Sequence, residues 1–101
     1  MTPAFDAVIH PPARLTLMAV LAEVADAEFA LLRDTAGVSD SVLSKHLAAL
    51  AEAGYVTSRK AASDGRARTW VAATGAGRRA FVAHVAALQA LAGVADRIAA
   101  E

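Results

Sequence analysis

Cysteine is absent from this 101-residue chain, which excludes disulfides and any thiolate-based metal or redox chemistry. Aromatic residues make up only 5% of it, with one Trp, one Tyr and three Phe. The hydrophobic fraction is nevertheless 56%, much of it alanine, which favours helix but buries little area. The core must therefore rest on a modest set of Leu, Val, Ile, Phe and Trp. That shortage favours pairing with a second copy, which covers apolar surface a monomer leaves open. No apolar run approaches the ~18–20 residues of a membrane span, and no basic-then-apolar leader is present. Val8 to Val24 comes closest, interrupted by Arg14 and Glu23. A cytoplasmic protein without a membrane partner is the expectation. Solenoid-period repeats, low-complexity tracts and long linkers are also missing, so the length reads as one domain over 1–101.

Net charge is lacking too, since ten basic side chains balance ten acidic ones. Its distribution is uneven. Residues 1–37 carry Arg14 and Arg33 against five carboxylates, whereas 38–70 carry Lys45, Arg59, Lys60, Arg66 and Arg68 against only Asp40, Glu52 and Asp64. The positive excess falls where a nucleic-acid contact is expected. No nucleophile–base–acid set, Gly-rich phosphate loop or converging carboxylate pair is evident, so an enzyme is not expected. No cofactor is implied, and His10, His46 and His84 are too scattered to suggest a metal site.

What is present is concentrated between Thr35 and Val56. Gly37 provides a turn, Ser39 a helix cap, and Gly54 a stop. Leu43, Leu47 and Leu50 fall on one helical face. Asp40, Ser41, Ser44, Lys45 and Ala48 fall on another. Small side chains, hydroxyls and an ammonium suit a helix lying in a DNA major groove, where base edges and phosphates are met together. The reading is a DNA-binding helix-turn-helix, with Ser39 also explicable as a cap alone and Lys45 as a solvated lysine.

The rest of the chain fits around that helix. Residues 1–9 read as a short arm. Pro11 and Pro12 open a first helix, Ala13 to Ala25, apolar on nearly every side. Asp26 would cap a second, Ala27 to Ala36. Tyr55 to Lys60 and Arg68 to Ala73 are strand-like, and Asp64-Gly65 between them is a strong hairpin signal because both residues tolerate positive φ. This hairpin, about 55–73, carries Arg59 and Lys60 on its incoming strand and Arg66 and Arg68 near its tip. Thr74 caps a last helix of about 75–100, some 35–40 Å long at 1.5 Å per residue. On it Phe81, His84, Leu88, Leu91, Ala95 and Ile98 alternate three and four residues apart, close to a heptad seam. A dimerisation helix is expected, with His84 on the seam; the competing reading folds the helix back on its own domain. Trp70 reads as core, and His46 as a partly buried packing residue.

Several stretches resemble the MarR/ArsR-type winged-helix transcriptional regulators over about residues 8–90. They are His10-Pro11-Pro12-Ala13-Arg14, Val38 through Leu47, Leu50 with Glu52-Ala53-Gly54-Tyr55-Val56, and Thr69-Trp70-Val71 leading to Thr74-Gly75-Ala76-Gly77-Arg78. The resemblance implies a mainly α fold with a small β-hairpin wing. It also implies a homodimer, expected to repress, on a pseudo-palindromic operator of double-stranded DNA. Ser39, Ser41, Ser44 and Lys45 would meet the major groove. Asp64 and Arg66 match the family's wing-tip Asp-x-Arg, whose arginine reaches the minor groove. Two departures stand out. The extra N-terminal helical sequence that forms much of the MarR dimer interface and ligand pocket is nearly absent, and the metal-site pattern of ArsR sensors is missing. A small-molecule effector is left open, with a cavity expected between the first helix, the last helix and its mate. The alternative function is a winged-helix module for protein–protein contact.

Overall fold

A computed structural model describes residues 5–100, without the Ser63 side chain; residues 1–4 of the expected arm and residue 101 lie outside it. Its order is α1 (Pro12–Glu23), β1 (Ala27–Glu28), α2 (Phe29–Ala36), α3 (Asp40–Glu52), β2 (Val56–Ser63), β3 (Arg66–Ala73) and α4 (Gly75–Ala100). The strands form one antiparallel sheet in the order β1-β3-β2. This is a winged helix, mainly helical, with a long C-terminal helix.

The first three helices turn leucines inward. Leu17, Met18 and Leu21 of α1, Leu32 of α2 and Leu43, Leu47 and Leu50 of α3 share one core with Val56, Val71 and Ala73 of the hairpin. Gly37 sits at φ 66° and donates its N–H to Arg33 O, ending α2 in a left-handed cap. Ser39 then caps α3, its hydroxyl accepting from Val42 N at 3.3 Å. At the wing tip Asp64 and Gly65 take φ of 54° and 75°, the pair of positive values that a two-residue hairpin turn needs.

Two sequence expectations are corrected. Ala27 and Glu28 are not helical, because they pair with Val71 and Trp70 as an edge strand; α2 starts at Phe29. Asp26 consequently caps nothing and instead meets Arg59 at 2.9 Å. The described part of the arm is anchored, with Ile9 fully buried in the core.

The second correction concerns α4. Its first half is packed on its own domain through Gly77, His84 and Ala87, with Phe81 partly buried against the core. Beyond Leu88 the same stripe is open, leaving Leu91 57% and Ile98 69% exposed. The heptad thus continues from an internal contact into an uncovered one. An 18-residue window of α4 has a mean hydropathy of 1.3, so by length and composition alone the helix is apolar enough to cross a membrane, which the alanine-rich sequence did not suggest as a continuous run. It carries Arg78 and Arg79 near one end and Asp96 and Arg97 near the other.

Candidate nucleic-acid interface

The candidate interface begins with α3. Burial of Leu43, Leu47 and Leu50 fixes the rotation of the helix, so Ser41, Ser44, Lys45 and Ala48 are exposed. Ser39 and Ser41 hydroxyls lie 3.3 Å apart, at the helix N-terminus where backbone N–H groups also point outward. Asp40 occupies the first turn and meets Arg33 at 3.1 Å. Asp40, then Asp34, holds the Arg33 proton more firmly than usual.

The hairpin register sorts the other cations. Lys60 pairs with Thr69 and Ser58 with Val71, whereas Arg59 pairs with Trp70 and Ala61 with Arg68. Alternation then puts Ser58, Lys60 and Thr69 on the face shared with the buried Val71, and Arg59 and Arg68 on the reverse. On that reverse face Arg59 lies 5.8 Å from the Trp70 ring centre and Arg68 meets Glu28 at 2.7 Å, leaving Arg68 Nε buried without a partner. Trp70 is half-buried, a platform for Arg59 more than a core filler. Among the described residues, Lys45, Lys60 and Arg66 enter no ion pair. These three are exposed and are the unpaired cations of α3 and the hairpin among the described residues.

His46 is half-buried and accepts from Arg14 Nε at 3.1 Å, while Arg14 Nη1 donates to Val8 O. One arginine so ties the arm to α1 and α3. His84 is 0% exposed, so in this protomer it faces inward and not along an outer seam. Asp6 N–H donates to its Nδ1 at 2.9 Å, and its Nε2 lies 3.1 Å from His10 Nδ1. That direction assigns the proton to His84 Nε2, which donates onward to His10.

Asp6 is a hub that the sequence did not reveal. Its Oδ1 accepts from Val8 N and Ile9 N at 2.9 and 3.2 Å, and its Oδ2 accepts from the Tyr55 hydroxyl. Burial alone would raise the Asp6 pKa, but the Tyr55 hydroxyl and the Ile9 and Val8 amides outweigh it, and the net shift is downward. Tyr55 is pushed up, first by its bond to Asp6, then by burial and the Asp6 charge. The only clue in the sequence was an Asp followed at two and three residues by amides it can cap.

A family model described as winged helix DNA-binding domain matches residues 13–92. Among solved structures, a transcriptional regulator homologue from Pyrococcus horikoshii is 25% identical with a TM-score of 0.84, covering 90% of each chain. A MarR-family regulator from Silicibacter pomeroyi is 27% identical with a TM-score of 0.65; this chain covers 56% of its length, and the match takes in 83% of this chain. A Streptococcus mutans protein at 19% identity shares the fold across 98% of this chain and 93% of its own, with a TM-score of 0.73. No curated protein matches the sequence.

Proposed function

Because this chain belongs to the winged helix DNA-binding domain family and is a MarR-like transcriptional regulator, we propose that it binds a pseudo-palindromic operator as a homodimer and represses from it. The observation carrying this reading is the outward face of α3, where Ser41, Ser44 and Lys45 stand exposed over a buried leucine face. Lys45 reaches guanine acceptors or phosphate, and Ser41, one turn earlier, adds a short hydroxyl. Arg66, exposed beside the Asp64-Gly65 turn, enters the adjacent minor groove and reads its width.

The distal half of α4 supports the dimer. Leu91, Ala95 and Ile98 remain from the expected seam, and Val94, 41% exposed, joins them. Phe81 and His84 are engaged within the protomer, and Leu88 bridges the two regions. Release by a small molecule extends the same reading. A largely apolar recess of 380 Å³ lies between the arm and α4, lined by Phe5, Ala7, His10, Leu88 and Leu91, large enough for a small organic ligand.

The test is enrichment of duplexes from a random pool by the purified protein, followed by fluorescence-anisotropy titration and sedimentation of the complex. The reading expects a two-fold-related consensus occupied by two protomers. Failure to enrich any duplex, together with capture of a discrete protein partner, supports the interaction-module alternative instead. Small molecules screened against the enriched complex test the effector.

A further inference from the structure

We infer that the cleft between α3 and the hairpin seats one strand of the DNA sugar–phosphate backbone, with Lys60 as its cation and the Ser44, Ser58 and Thr69 hydroxyls as neutral donors. The inference rests on the DNA-binding reading above and specifies which side of the wing faces the nucleic acid. The cleft measures 310 Å³, with Ser44 and Ala48 on the helical wall, Ser58 and Thr69 on the strand wall and Phe29 and Leu47 as its floor. Three hydroxyls around one groove, from two elements, need a reason. Among the described residues none of them hydrogen-bonds to another protein group, and Ser44 and Ser58 are exposed.

Register supplies the charge. Lys60 is the cross-strand neighbour of Thr69, so its ammonium leaves the sheet on the same face as the hydroxyls. Arg59 and Arg68 leave on the opposite face, where Asp26 and Glu28 already neutralise them at 2.9 and 2.7 Å. Sequence alone grouped all four wing cations as contacts; sheet alternation puts Lys60 on the cleft face and Arg59, Arg66 and Arg68 on the reverse, with Arg66 beside the turn at the tip. A groove lined by three unengaged hydroxyls and no carboxylate, with the free Lys60 beside it on the same sheet face, matches a phosphodiester, which offers acceptors only and carries one charge per unit. Ala48 on the helical wall leaves room for the backbone to approach. With α3 in the major groove and Arg66 in the neighbouring minor groove, the strand dividing those grooves must pass between α3 and the hairpin.

The experiment measures anisotropy of an enriched, labelled duplex across a salt series. Lys60→Ala should lower the slope of log K against log salt by about 0.9, one counterion fewer. Ser58→Ala combined with Thr69→Val should weaken binding about tenfold and leave that slope unchanged, since neutral donors release no counterion. Arg59→Ala should keep the wild-type slope. Each variant's thermal melt is recorded, and if Thr69→Val unfolds, Ser58→Ala alone should still weaken binding severalfold without changing the slope. Wild-type affinity in the hydroxyl variants, or a slope that falls with Arg59→Ala and not with Lys60→Ala, overturns the inference while DNA binding stands. A wild-type protein that binds no duplex overturns the DNA-binding reading, and this inference with it.

Discussion

Asp6 accepts hydrogen bonds from two amides of its own turn and from the Tyr55 hydroxyl, just beyond α3, so one side chain clamps the arm to the exit of α3. Asp6→Ala leaves Tyr55 and the turn amides without their acceptor and should cost roughly 1–3 kcal/mol in urea unfolding. The folded Asp6 pKa lies below its unfolded value of about 3.9. Its contribution is therefore full above that value and is lost as pH falls through the lower folded pKa. Tyr55 behaves oppositely: raised above about 10, it stabilises below that value and the contribution disappears as pH rises through the folded pKa. Unfolding free energy against pH should show both edges in the wild type, and neither contribution from this pair in Asp6→Ala. The bond to Tyr55 was not legible beforehand, because Asp6 and Tyr55 are 49 residues apart and hydrogen-bond partners at that range leave no periodicity. At the DNA face, Arg66→Ala and Lys45→Ala should each weaken binding and reduce the salt slope by about 0.9. An unchanged slope in anisotropy would remove that side chain from the phosphate contacts.

Among the elements, α3 was the most readable, since a cap, a leucine stripe and a terminal glycine all lie within one stretch of chain. The hairpin was readable for the same reason: Asp64-Gly65 fixes the turn locally. The edge strand β1 was not, because two residues adopt extended backbone only through pairing with β3, and local preference favours helix there. The seam on α4 was read correctly as a stripe but assigned whole to a partner; periodicity finds a buried face without saying what covers it. The start of α4 shows what holds it in place. Thr74 Oγ1 accepts from Gly77 N at 3.0 Å and donates to Gly54 O at 2.6 Å, while Tyr55 O accepts from Thr74 N. A Cβ on Gly77 would sit 2.1 Å from Tyr55 O, a backbone atom with little freedom to move. Gly77→Ala should cost about 1–3 kcal/mol or more by thermal or urea unfolding; a variant as stable as wild type would show that α4 is not docked there so closely.

At the scale of the molecule, extents of 61 × 24 × 21 Å describe a small body with a helix running out of it. The projecting half of α4 carries Leu91, Val94 and Ile98 without cover from its own chain. In the proposed dimer a second copy covers them. Leu91→Glu with Ile98→Glu should therefore shift sedimentation towards monomer and reduce operator affinity by an order of magnitude or more, while the melt of the core stays near wild type. An unchanged sedimentation profile would place the dimer contact elsewhere or exclude one. The central claim, that the outward face of α3 enters the major groove, is tested most directly by protection of guanine N7 from methylation on an enriched duplex. The account predicts protected guanines in two half-sites about 34 Å apart, with protection at the guanines contacted by Lys45 lost in Lys45→Ala. Full methylation of every guanine in the bound duplex, or protection indifferent to Lys45→Ala, would contradict it.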